Sequence, residues 1–211
     1  MILDLLKGLG VSAELFFLTL LFALPLGLAI AFGRMSKNSF VRQVFRIYIS
    51  IMRGTPLMLQ LLFIYFGPYY IFRISLSGYS PFVGAVVAFA LNYAAYFAEI
   101  YRAGIESIDH GQYEAAESLG VGKARTFFYI IFPQVVKRIL PPVTNEVITL
   151  VKDTSLAFTL SVMEMFTVAK MAAAAHTTMM PLIAAGVFYY IFNYLVAWAM
   201  EALERRFSYY N

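Results

Sequence analysis

Of 211 residues, 61% are hydrophobic and only 13% are charged, and the mean hydropathy of +0.74 lies well outside the balance of a water-soluble globular domain. The chain therefore reads as a membrane protein. It has no cysteine, which excludes disulfides, thiolate metal sites and cysteine nucleophiles, and its net charge of +4 says less than where the positive residues fall.

Residues Leu15 to Phe32 form a nearly unbroken apolar run, long enough to cross a hydrocarbon core of about 30 Å as a helix. A cleaved signal peptide is the competing reading. The length of the run, and the lack of a small-residue cleavage site before the basic segment from Arg34, favour a retained span. Further spans are expected at about Thr55 to Phe72, Pro81 to Ala103, Ile139 to Val168 with polar interruptions, and Pro181 to Leu203. Twelve of the 16 basic residues fall between the first and second spans, around the loop after the third, and after the fifth. Lys and Arg accumulate in short cytoplasmic loops, so the N-terminus is expected outside and the C-terminus inside, with residues 1–211 as one transmembrane domain. Trp198 and the tyrosines near span ends suit the interfacial belts.

The fourth span is irregular on paper. Pro141 and Pro142 disturb its start, and Lys152, Asp153 and Thr154 interrupt its apolar course, so a break is expected at 152–154 with a short helix from Ser155. Non-helical backbone at that depth needs protein or a water-filled cavity beside it. Ionisable groups in a bilayer cost several kcal/mol unless paired or hydrated, which makes Asp153 and Glu164 the sharpest candidates for a substrate pathway. Together they could receive a cationic side chain; alternatively Lys152 pairs with one of them, or Glu164 lies in the outer water layer. Thr154 and Ser155 could offer hydroxyls and free amides to a substrate carboxylate, or Thr154 merely caps the short helix. Thr55 with Pro56 resembles another helix start, at a cytoplasmic boundary marked by Arg53. Asn92 and Asn193 sit near mid-membrane as interhelical glue or ligand contacts, Glu99 and Arg102 read as a tethering pair, and Glu146 either lines a cavity or holds a dimer.

Between the third and fourth spans lies a charged, Gly-punctuated island. Asp109 followed by Gln112 is an Asp form of a capping box, and Gly120 follows Leu119 where a helix would stop, so a helix is expected over 110–119. Ala115 and Ala116 would let another surface approach closely, while Glu114 and Glu117 share a polar face. A second amphipathic piece from Lys123 to Phe132, ended by Pro133, would hold that helix against the membrane.

The spacing Glu114-Ala115-Ala116, three residues, Gly120, nine residues, Ile130, one residue, Phe132, Pro133 resembles the signature of permease subunits of ABC importers, with Phe132 where Leu is usual. The segments RGTPLMLQL at 53–61, YFAEIYRAGIESI at 96–108 and KDTSL at 152–156 look like the branch that imports polar amino acids, and the resemblance runs from about residue 10 to 206. It implies an all-α type I importer permease with five transmembrane helices, in the cell membrane of a prokaryote. It further implies that Glu114, Ala115, Ala116 and Gly120 belong to a coupling helix at about 110–120, which docks into a cytoplasmic ATPase. Expected partners are two ATPase subunits carrying ATP and Mg, a second permease subunit, identical or paralogous, an extracytoplasmic solute-binding protein and the bilayer, with no nucleic acid. The substrate expected is a polar L-amino acid, with basic ones suggested by the carboxylates. No cofactor is expected on this chain, which has no G-x-x-x-x-G-K-[ST] loop; His110 and His176 are isolated, and neither H-E-x-x-H nor G-x-S-x-G occurs, so it is not expected to be an enzyme. The ten methionines read as adaptable packing. The alternative is a non-transporting membrane scaffold or receptor that docks a cytoplasmic protein through residues 110–133.

Overall fold

The computed structural model describes residues 2–75 and 78–207, and every regular element among them is helical. In chain order these are α1 (Ile2–Arg34), α2 (Ser39–Gly54), α3 (Leu57–Phe72), α4 (Pro81–Glu106), α5 (His110–Ser118), α6 (Lys123–Thr126), α7 (Phe132–Asp153), α8 (Met165–His176) and α9 (Met180–Phe207). A π-helical turn (Phe127–Ile131) joins α6 to α7, and a 3-10 helix (Thr154–Leu160) prolongs α7.

Among the described residues three helices, α1, α4 and α9, are long and apolar enough to cross a bilayer alone. Counting two bent pairs as one span each raises the number to five: α2 with α3, bent by 114°, and the stretch from α6 to the 3-10 helix with α8, bent by 59°. The pairing of α2 with α3 corrects the expectation that residues 39–54 are loop. Asn38 caps α2, its side-chain oxygen accepting from Phe40 N at 2.9 Å, and Phe45, Tyr48, Ile49 and Met52 turn to the bundle at helical spacing. The arginines 42, 46 and 53 occupy the exposed faces.

The keystone is the α1–α4 contact. Ala23, Gly27 and Ala31 recur every four residues on α1 and are buried, and Gly27 meets Ala94, Phe97 and Ala98 of α4. A Cβ added at Gly27 would lie 2.8 Å from Phe97 Cβ, so the close approach itself requires glycine there. Lipid tails are as apolar as the side chains, so helices gain from close van der Waals packing through small residues rather than from hydrophobicity. By contrast α9 fully buries only Pro181 and Ala185: Phe188, Tyr189, Phe192, Val196 and Met200 pack partly buried on the bundle while its other side is exposed, and Asn193 on it has a buried side-chain oxygen without a hydrogen bond.

The fourth span also differs from expectation. Pro141 and Pro142 lie inside α7, which continues unbroken to Asp153. Thr154 and Ser155 do not start a helix with free amides; the helix tightens into 3-10 turns, with Thr154 Oγ1 donating to Val151 O and Ser155 Oγ to Lys152 O, both at 2.8 Å. The true break comes later, at residues 161–164, where Ser161 adopts φ +58°.

Candidate functional site

The segment from Asp109 to Gly120 folds as its punctuation requires. Asp109 accepts from Gly111 N at 2.6 Å, although the reciprocal half of the box is replaced: Gln112 Oε1 instead accepts from Gln134 Nε2 at 3.5 Å. Gly120, at φ +72°, closes α5 in a Schellman motif, with Val121 N donating to Ala116 O and Gly120 N to Glu117 O, each at 2.9 Å. Glu114, Ala115, Glu117 and Ser118 are exposed, but Ala116 is 2% exposed and faces inward, so only one of the two alanines is open to a partner. A separate apolar cluster of Ile108, Ile131 and Val135 takes in Ile105 from the end of α4 and Ile139 of α7, and Tyr113 of α5 packs on it. Arg138 adds a bond to Ser107 O.

Pro133 does not end the segment before it. The chain runs through a π turn, Phe132 N bonding to Phe127 O, so the proline sits in the first turn of α7 where its missing N–H is tolerated. Gln134 Nε2 donates to Ile130 O at 2.8 Å, satisfying a carbonyl near the irregular turn.

Within the bundle, α4 and α7 enclose a polar cleft beside the α2–α3 bend. Its outer part has a volume of about 250 Å³ and is lined by Asn92, Tyr93, Tyr96, Glu146, Thr149 and Asp153, with Thr55 and Leu57 at the bend. Tyr96 and Glu146 continue into an inner part of about 470 Å³ that reaches Arg53, Glu99 and Arg138. Asp153 is half-buried and accepts a 2.7 Å hydrogen bond from Tyr93. Glu146 lies two turns before it on α7, so both carboxylates face the same space. Asn145 and Lys152 on α7 are exposed, giving this membrane helix a polar side that the rest of the chain leaves open. At the inner end Glu99 binds Arg102 at 2.6 Å, the expected pair, and also approaches Arg34 at 3.8 Å; Arg53 stacks over Tyr96 at 5.3 Å.

Sequence reasoning grouped Asp153 with Glu164, whereas the cleft groups Asp153 with Glu146. Glu164 is fully buried and caps α8, its carboxylate accepting from Phe166 N (2.6 Å), Thr167 N (2.7 Å), Thr167 Oγ1 (2.7 Å) and Tyr189 OH (3.0 Å). Those four donors occupy it, and it does not line the cleft. Asn92 does line the cleft while its amide donates to Gln60 Oε1 (2.8 Å) and Met52 O (3.1 Å). Gln60 passed unnoticed in the sequence, yet it donates to Met52 O (2.9 Å), Thr55 O (3.1 Å) and Thr55 Oγ1 (2.7 Å) across the bend. A lone glutamine inside an apolar run seven residues after an arginine was the available signal.

The chain belongs to the family of binding-protein-dependent transport system inner membrane components, whose model matches residues 23–209. It is a transport permease, not an enzyme. It is 38% identical over 205 residues to the L-cystine transport system permease protein TcyB of Bacillus subtilis, covering 96% of this chain and 86% of that protein. It is 34% identical to a putative glutamine transport system permease protein GlnP of Rickettsia typhi, covering 97% and 93%. Among solved structures it resembles an amino acid ABC transporter crystallised with histidines, at 34% identity and TM-score 0.87, covering 96% of this chain and 94% of that one. The inward-facing MetNI methionine transporter shares the fold, with TM-score 0.73 at 16% identity.

Proposed function

We propose that this chain is the import permease of an ATP-driven amino acid transporter in a prokaryotic cell membrane, with five spans, an outside N-terminus and an inside C-terminus. The relatives carry L-cystine, glutamine and octopine in their names, and amino acids share a zwitterion that a polar cleft can hold. The substrate is a polar L-amino acid, and Asp153 with Glu146 supplies the negative charge for a cationic side chain. Asn92 borders the same space and holds the bend open. Glu164, Thr154 and Ser155 are read as supports, because their polar atoms are spent on neighbouring backbone and hydroxyl groups.

The coupling helix carries the mechanical part. Glu114, Ala115 and Gly120 present a polar, closely approachable surface to a cytoplasmic ATPase, and Ala116 anchors that surface from behind. ATP and Mg sit on the ATPase, of which two copies act with two permeases; a solute-binding protein delivers substrate outside. Nucleotide binding favours one state of the assembly, and a rigid helix clamped to α4 and α7 moves the walls of the cleft. The single observation that carries this reading is how α5 is held: it is capped at both ends, and Tyr113 packs on an apolar cluster that also takes in Ile105 of α4 and Val135 of α7.

The test is ATP-driven uptake in proteoliposomes containing the permease, its ATPase and its binding protein. Ala115→Trp places a bulky group on an open site and should abolish uptake while leaving thermal stability unchanged. Undiminished uptake would sink the docking assignment, and absent uptake in the parent assembly would favour the scaffold reading.

A further inference from the structure

The stretch between the coupling helix and α7 carries a surface that neither the cleft nor the docking helix uses. Arg125, Phe128, Tyr129 and Phe132 recur at i, i+3, i+4 and i+7, so they share one side of the helical path, and all four are exposed. The three aromatic rings are 63%, 78% and 48% exposed, large values for side chains of this size. The opposite side is spent: Thr126 and Ile131 are buried, and Phe127 and Ile130 pack on the Ile108–Ile131–Val135 cluster. Phe127 also lies against Phe128 and Phe132, with ring centroids 5.3 and 6.3 Å away, and so props the aromatic side from beneath. Beside it, Val121, Arg125, Tyr129 and Ile130 line an open groove of about 470 Å³.

Charge identifies the occupant. Between Glu117 and Glu146 the sequence contains four basic residues, Lys123, Arg125, Lys137 and Arg138, and no acidic one. The neighbouring open surface of α5, with Gln112, Glu114, Glu117 and Ser118, is polar and carries two acids, the opposite character for a surface only a few residues away. An exposed aromatic side with Lys123 and Arg125 beside it and no acidic residue near it in sequence, immediately before a helix that enters the bilayer, suits the boundary between headgroups and acyl chains rather than a soluble partner.

We propose that residues 123–132 form a phospholipid site on the cytoplasmic leaflet: the Arg125–Tyr129 groove takes the phosphate of an anionic headgroup, and Phe128 and Phe132 seat among the upper acyl chains. The site depends on the reading that α7 enters the bilayer from the cytoplasm. It would give the clamp a fixed footing, so that a push on α5 is delivered to α4 and α7 instead of lifting the segment away from the membrane.

The experiment places the full-length chain in nanodiscs of zwitterionic phosphatidylcholine with a minor fraction of anionic phosphatidylglycerol, either lipid being brominated in turn. A Trp198→Phe background removes the one native indole. Tyr129→Trp then reports the site, and Tyr190→Trp, 72% exposed on α9, reports whether the bundle is in the bilayer at all. The indole from Tyr129→Trp should be quenched by lipids brominated near the headgroup, more per mole by phosphatidylglycerol than by phosphatidylcholine. Adding Arg125→Ala should lower that preference about fivefold, the worth of one basic residue at an anionic surface. Quenching at Tyr190→Trp with none at Tyr129→Trp would overturn the site while leaving the membrane reading intact; no quenching at either would remove the membrane reading itself. Equal preference with and without Arg125→Ala would overturn the headgroup role. Shielding of the Tyr129→Trp indole from aqueous iodide that develops only on adding the ATPase would assign the surface to a protein interface instead.

Discussion

Two places interrupt the membrane helices, and they are built in opposite ways. At the α2–α3 bend the chain frees carbonyls, and amides answer them: Gln60 and Asn92 donate to Met52 O and Gln60 to Thr55 O. At the α8 start the chain frees amides, and a carboxylate answers them: Glu164 accepts from Phe166 N and Thr167 N. The first break borders the cleft, whereas the second is sealed, with Glu164 at 0% exposure. A polar residue in a bilayer can thus be structural, satisfying a break, and only a group whose acceptors face open space is available to a substrate. Asp153 and Glu146 meet that second condition.

The sharpest way to break this contrast is at the sealed site. Glu164→Ala strands two amides and the hydroxyls of Thr167 and Tyr189, and it should cost on the order of 3–5 kcal/mol, seen as a large drop in thermal midpoint or loss of folded yield. A stable Glu164→Ala protein would mean that the cap is dispensable and would return Glu164 to the pathway candidates. Next, Gln60→Leu leaves the carbonyl of Thr55 without its amide partner and should cost about 2 kcal/mol while perturbing the cleft, read as lower stability with a raised KM for uptake. The smallest effect is expected at the end of α5: Gly120→Ala forces a Cβ into a left-handed backbone and should cost about 1 kcal/mol, with uptake falling more than stability does. If Gly120→Ala lost stability and uptake in proportion, the Schellman turn would be serving the fold alone.

The segment from Asp109 to Gly120 was more legible in the sequence than either break. Asp109 and Gly120 are local signals with local consequences, and the helix between them formed where they placed it. The apolar runs likewise marked α3, α4 and α9 to within a few residues. Residues 39–54 were missed because their arginines read as loop charge, although the apolar period through Val41, Phe45, Tyr48 and Met52 was available. Asp153 was singled out as an ionisable group in an apolar course, and Glu146, read as lining a cavity or holding a dimer, lines the same cleft without having been grouped with it. Lys152 to Thr154 looked like a break because polar residues cluster there, whereas the backbone bends where Ser161 turns left-handed, and nothing local to the sequence announces that turn. The pairing of Asp153 with Glu146 needs only the seven-residue spacing on one continuous helix, which becomes visible once the prolines at 141 and 142 are seen to lie inside α7.

The most direct test of the contrast compares substrate preference in two conservative variants, Asp153→Asn and Glu164→Gln, in the reconstituted transporter, as the ratio of arginine uptake to glutamine uptake. Asp153→Asn should lower that ratio roughly tenfold or more, the worth of one charge-assisted contact, while Glu164→Gln leaves it unchanged even where total uptake declines. An unchanged ratio in Asp153→Asn, or a ratio shifted by Glu164→Gln alone, would contradict the division between the open and the sealed carboxylate.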